Sequence, residues 1–205
     1  YWRARKTNPK RRKENCNDGV LIKNKKIRRT ATLLQSFFIS LVYLCFMRKD
    51  IKDIKPGIGL GVIKFGMDRN QVKLILGKPS ETDVFYMTES EDSEAEVWYY
   101  DDECLSLSFD AADDWRLVTI EVDHDRFELE GHIFFGKNKL QVISTLEKIG
   151  ATDFKHEPAP MEEAPTHELI SSDSLGINFW LDEDAVSEIQ WGPFFNADES
   201  VQWPK

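Results

Sequence analysis

Cysteine is scarce: the chain holds 3 in 205 residues, Cys16, Cys45 and Cys104, too few for a disulfide-stapled scaffold. Short motifs that announce a chemistry are absent as well. The run Gly57-Ile58-Gly59-Leu60-Gly61 has no Gly-Lys-Ser/Thr ending, and the first helix start falls later, at Asp68, so it reads as a flexible lead into a strand. His124, His132, His156 and His167 share no zinc spacing with Cys104 or with one another and read as surface or rim positions. No calcium-loop spacing and no Gly-x-Ser-x-Gly elbow occurs. The expectation is a protein with no catalytic residues, no metal and no cofactor. With 8 Pro, 11 Gly and 41% hydrophobic residues, the chain is neither collagen-like nor disordered throughout.

Long apolar runs are missing too. The segment from Ala31 to Phe46 is interrupted by Thr32, Gln35, Ser36 and Ser40 and falls short of the roughly 18 to 20 residues that span a bilayer. Charge divides the chain at the same place. Residues 1–46 carry 12 Lys/Arg against 2 Asp/Glu, whereas residues 47–205 carry 15 against 34, giving a net charge of −9. The first methionine, Met47, sits at the division. The leading reading makes Met47 the native start and residues 1–46 an upstream extension; an atypical signal or anchor, and a basic arm, are the alternatives. Under the first, Cys104 is the one remaining cysteine, forms no internal disulfide and suits a cytoplasmic protein. Under the second the protein is anchored or exported, and a membrane is expected as a partner only then. The acidic remainder repels nucleic acid and attracts basic proteins.

The chain resembles itself at an offset of 70. Residues 61–109 match residues 131–179 at 12 of 49 positions, against about 3 expected if random identity is roughly 6%. The matches include Gly61/Gly131, Phe65/Phe135, Gly66/Gly136, Gln71/Gln141, Val72/Val142, Leu76/Leu146 and Phe109/Phe179. Asp68 with Gln71 at N3 is a capping box for a helix over 69–76 that Gly77 and Pro79 end, and Asn138 with Gln141 caps a helix one turn longer that Gly150 closes. After each helix the apolar period falls to 2. Leu105, Leu107 and Phe109 alternate with Ser106, Ser108 and Asp110, and Leu175, Ile177 and Phe179 with Gly176, Asn178 and Trp180. Further strands are expected at 82–87, 97–100, 117–122, 152–155, 168–170 and 186–191. The acidic stretches 88–96 and 157–166 read as solvated loops.

The fold class expected is α+β: two tandem pseudo-equivalent repeats, 52–130 and 131–195, followed by a tail over 196–205. Each repeat has a short helix and three or four antiparallel strands, with the helices on one face of the sheet and the other face open. The stretch from Phe65 to Pro79 (FGMDRNQVKLILGKP), with Trp98-Tyr99-Tyr100 and the hairpin from Leu105 to Val122, resembles the β-lactamase-inhibitor-protein-like fold, whose superfamily includes a small lipoprotein of outer-membrane assembly. That resemblance implies a binding or scaffolding protein that grips its partner with a sheet face, and it offers no catalytic residues. The expected function is therefore inhibition of a basic protein partner, as an immunity protein acts, with an envelope assembly factor as the alternative. By alternation Ser108, Glu121, Asn178, Trp180, Glu188 and Gln190 share the open face, with Trp180 as the interface anchor whose removal leaves folding intact.

Overall fold

The computed structural model describes residues 51–86, 94–161 and 164–205. The readings of residues 1–46, and most of the acidic stretch 88–96, lie outside them.

The described chain is α+β. Short strands β1 (Asp53–Lys55), β2 (Gly59–Leu60) and β3 (Ile63–Lys64) lead into helix α1 (Arg69–Leu76), then β4 (Glu81–Tyr86), β5 (Glu94–Tyr100), β6 (Leu105–Asp110) and β7 (Arg116–Val122). After β8 (Glu128–Leu129) come helix α2 (Lys139–Lys148), β9 (Phe154–Pro158), β10 (Glu168–Ser172), β11 (Ile177–Asp182) and β12 (Ala185–Trp191). A hairpin of β13 (Phe194–Phe195) and β14 (Val201–Gln202) closes the chain. The main sheet has eight strands in the order β4-β5-β6-β7-β12-β11-β10-β9. Reading outward from the central β7–β12 pair, one flank descends through β6, β5 and β4 and the other through β11, β10 and β9.

Both helices start where local chemistry dictates. The Asp68 carboxylate accepts from the Asn70 and Gln71 backbone N–H groups, at 2.8 and 2.9 Å, while the Gln71 side chain accepts from the Asp68 N–H at 2.9 Å. Asn138 and Gln141 repeat the arrangement at 3.0 Å in each direction. Each box satisfies helix-start donors that would otherwise lack partners. Val72 and Leu76 of α1, and Val142 and Leu146 of α2, then bury their side chains in one core with Leu107, Phe109, Ile120, Phe179, Ile189 and Trp191 from the sheet.

Strand pairing carries this core face across the whole sheet. One row runs Trp98, Leu107, Ile120, Trp191, Ile177, Ser172, Phe154, and the next runs Tyr100, Leu105, Val122, Ile189, Phe179, Ile170, His156. Trp98 and Tyr100 therefore face the core, and Val97 and Tyr99 the opposite side. β5 begins earlier than expected, at Glu94, because Ala95 is fully buried and Glu96 meets Arg69 at 2.6 Å across the gap to α1. Phe65, Phe109 and Phe179 are buried as expected, but Phe135 is only half-buried and Phe134 fills the core position beside it.

The glycine run is a packed corner, which corrects the flexible lead expected there. Gly57 has φ +65°, and a Cβ on it would lie 2.3 Å from the Phe194 ring. Gly59 presents its carbonyl to the Trp191 indole N–H at 3.1 Å. The tail is fastened likewise: Trp203 lies against Gly66, the Arg116 guanidinium sits over its ring, and Lys64 Nζ donates to the Lys205 carbonyl at 2.7 Å.

Asp68→Ala or Asn138→Ala should each lower stability by about 1 kcal/mol in urea titrations. Gly57→Ala should lower it further, through both the left-handed φ and the overlap with Phe194. Adding Phe194→Ala should recover part of the Gly57→Ala loss, because only the overlap is relieved.

Candidate functional site

The sheet face away from the helices carries a polar row: Tyr99, Ser106, Glu121, Gln190, Asn178, Ser171, Lys155. Ser108 pairs with Thr119 on the same face, and Glu188, Trp180, Leu169 and Glu157 form the row on the other side of Asn178 and Gln190. All six residues expected on this face are there. The face is not open, however. Trp180 is 3% exposed, Glu121 and Gln190 4% and Ser108 6%; only Asn178 and Glu188 are half-buried.

Two local arrangements account for part of this burial. Ser106 Oγ donates to Glu121 Oε1 at 3.2 Å and Gln190 Nε2 to Oε2 at 3.3 Å, so the Glu121 carboxylate is held between strands β6 and β12. Buried polar groups need such partners. Trp180 is stacked by His167, with ring centroids 5.7 Å apart at 29°. His167 is itself 6% exposed, which corrects its reading as a surface residue. It reaches Trp180 from the loop after β9, where Ala159 N–H bonds the His167 carbonyl at 2.9 Å. Trp180 is thus a core aromatic on the second face, not an exposed anchor.

Accessible space remains at one end of this face. A cavity of about 570 Å³ opens where β10 ends, β11 begins and β12 finishes, between the sheet and the C-terminal hairpin. Asn178, Gln190 and Ser171 form its floor, Phe194 and Phe195 its apolar wall, and Glu157 a carboxylate at its margin. Asp173, also on the rim, is ion-paired with Lys155. Behind it Ser174 holds the Asp153 carboxyl below the usual range by hydrogen bonds from its hydroxyl and backbone N–H, both at 2.6 Å, and Ser172 adds a third at 3.0 Å. The β10–β11 turn is rigidly braced as a result. Alternation places Asn178 and Gln190 here, but the aromatic wall is invisible to it. Phe194 and Phe195 fall where the repeat ends and the tail begins, and only the clustering of Pro193, Phe194, Phe195 and Trp203 marks that segment as packed.

A second cleft, about 450 Å³, lies beside α1 among Arg69, Lys73, Glu96, Trp98 and Trp115. Its charges are matched internally. Arg69 is paired with Glu96 and sits 4.4 Å over the Trp115 ring, and Lys73 sits 4.7 Å over Trp98. These contacts fasten α1 to the sheet. Among the described residues no group of three or more His, Cys, Asp or Glu is placed to hold a metal ion. No described helix is long and apolar enough to cross a membrane. Cys104 is buried, and the other two cysteines, Cys16 and Cys45, lie outside the described residues.

Neither the protein-family models nor the curated proteins contain a match to this chain. Among solved structures, an extracellular protein containing an SCP domain from Bacillus anthracis str. Ames aligns with TM-score 0.36 and 13% identity, over 85% of this chain and 50% of that one. The present chain spans half that protein's length, and a likeness this slight transfers neither fold nor role.

Removing the buried indole by Trp180→Ala should destabilise the protein by about 3 to 5 kcal/mol in denaturant titration, whereas Trp180→Phe, which keeps an aromatic ring on His167, should lose less. A second expectation concerns the β6–β7 turn, where burial first, then Asp110 and Asp114, push the Asp113 carboxyl up against the opposing pull of Arg116. A raised folded value means the charged form is disfavoured by folding, so the contribution of Asp113 to stability is greatest at acid pH and is lost as pH rises through the folded value. Asp113→Asn should therefore stabilise the fold at neutral pH, and the gain should vanish below about pH 4, where the aspartate is protonated in both states.

Proposed function

We propose that this chain is a non-enzymatic protein-binding module, built as two tandem helix-and-sheet repeats of the β-lactamase-inhibitor-like kind, that inhibits a basic partner as an immunity protein does. The strand order supports the repeat architecture, since each half contributes a capped helix and four consecutive antiparallel strands that meet at β7–β12. It places the matched residues less evenly than one offset suggests. The β6–β7 connection is longer than the Glu183-Asp184 turn between β11 and β12, and, counted back from the bulge in each hairpin, Phe179 facing Ile189 corresponds to Leu107 facing Ile120, while Phe109 faces Leu117 beyond its bulge.

The cavity at the β10–β12 end carries the binding proposal. It joins unengaged amide capacity at Asn178, an aromatic wall at Phe194 and Phe195, and the Glu157 carboxylate at its margin. A lysine or arginine side chain entering there would lay its methylenes along the phenylalanines and its charge beside Glu157. The net charge of −9 would steer such a partner before contact, across a Debye length of about 8 Å. This relocates the interface from the buried middle of the sheet face to its accessible end.

The test is quantitative affinity capture from the source organism with mass spectrometry, comparing the natural chain with Asn178→Trp, which fills the cavity, and Glu157→Lys, which reverses its charge. The expected outcome is a stoichiometric basic protein, released by high salt and lost from both variants at unchanged melting temperature. Equal recovery with Asn178→Trp would place the interface elsewhere. A second reading is an exported or membrane-anchored envelope assembly factor, in which Cys104 would be able to keep a disulfide, because disulfides persist outside reducing compartments. Intact-mass measurement of the native protein with and without reductant, after cell fractionation, separates the two.

A further inference from the structure

The eight-stranded sheet has two edges, β4 and β9, and they are guarded very differently. Strand β9 is five residues long, carries Lys155 as its second residue and ends in Pro158, which has no N–H to offer. Charge and proline are common devices that keep a sheet edge from pairing with another chain. Strand β4, Glu81-Thr82-Asp83-Val84-Phe85-Tyr86, has neither lysine nor proline; its charges, Glu81 and Asp83, lie in its first half, Val84-Phe85-Tyr86 carries none, and its pairing with β5 runs unbroken from Glu81↔Tyr99 to Tyr86↔Glu94. Apolar side chains stand on both of its faces. Val84 is 49% and Tyr86 66% exposed on the helix-side face, and Phe85 lies half-buried on the other. An edge whose second half is apolar and carries neither charge nor proline is a template for another strand.

We propose that β4 is a self-association edge: two copies of this chain pair antiparallel along β4 about a two-fold axis, joining their sheets into one. Side-chain chemistry selects the register. A two-fold axis normal to the sheet must pass midway between one residue and the same residue of the second copy, which then face each other. With Asp83 on the axis, two carboxylates would oppose each other, which is destabilising. With Val84 on the axis, valine meets valine, Thr82 meets Tyr86 of the second copy, and Asp83 meets Phe85, so no like charges are opposed. Thr82 through Tyr86 of each copy then enter the ladder. With Phe85 on the axis, only residues 84–86 of the described strand would pair among themselves. The Val84 register pairs five residues of each copy, as many as the Asp83 register without opposing its carboxylates, and puts a β-branched residue against an aromatic at each end, a favourable cross-strand pair.

Salt separates this association from capture of a basic partner. Two copies each carrying −9 repel at long range, so added salt should tighten the dimer while it loosens a complex steered by opposite charge. Sedimentation velocity on the full chain over a wide concentration range should show a monomer–dimer equilibrium that shifts toward dimer at high salt. Val84→Lys, which sets two ammonium groups face to face on the axis, and Tyr86→Lys should each give a monomer at every concentration with an unchanged melting temperature. Val84→Thr should retain the dimer. If Val84→Lys perturbs folding, Tyr86→Lys, at a more exposed position, supplies the same reading. A natural chain that is monomeric at all concentrations, or a dimer that survives both lysine variants, overturns the proposal.

Discussion

The β7–β12 seam is the constraint on which the remainder of the structure hangs. Three residue pairs make it, Ile120↔Trp191, Glu121↔Gln190 and Val122↔Ile189, and each does a different job. Ile120 and Trp191 belong to the core row, and Trp191 also ties the seam to strand β2 through the Gly59 carbonyl. Glu121 and Gln190 hydrogen-bond across it on the other face. Every other strand of the main sheet pairs with a neighbour from its own half, so the seam is where four-strand flanks become one sheet. A slip of one residue there would send Trp191 to the polar face and Gln190 into the core, at the expense of both.

The two faces of the sheet are stabilised by different physics. Toward the helices, leucine, isoleucine, phenylalanine and tryptophan bury apolar area against α1 and α2. On the other side small and polar residues predominate along the central strands, and burial there depends on hydrogen bonds such as those converging on Glu121. The first kind of packing tolerates volume-conserving exchange; the second does not tolerate loss of one partner. Trp180 is the exception, an indole stacked on a histidine in the polar face.

Local signals made much of this legible. The boundaries of α1 follow from Asp68, Gln71 and Gly77, because a capping box and a left-handed glycine act over a few residues. Period-two alternation sorted Leu107 from Ser108 and Phe179 from Asn178 onto the correct faces. What alternation does not contain is the far side of a face. His167 covers Trp180 from a connection that reads as an acidic loop, and Phe194 covers Gly57 from the opposite end of the described chain. Glu96 was masked in the same way: it sits in an acidic stretch, yet Arg69 receives it across a distance no local rule spans. The Gly57–Gly61 run carried two meanings, freedom and close approach, and only the Phe194 ring and the Trp191 indole decide for the second.

The closure of Phe194 onto Gly57 and of Trp203 onto Gly66 also orders events during synthesis. A ribosome delivers about 5 to 20 residues each second, so the corner at residues 57–66 waits for seconds before the segment that covers it has emerged. The first helix and strands β4 to β7 can meanwhile form from neighbouring sequence, as contacts of short separation do. During that interval the glycine corner and the β7 edge, later sealed by the C-terminal hairpin and by β12, are exposed to solvent and to other chains. The growing polypeptide is therefore most vulnerable to mispairing at the strand that will later hold it together.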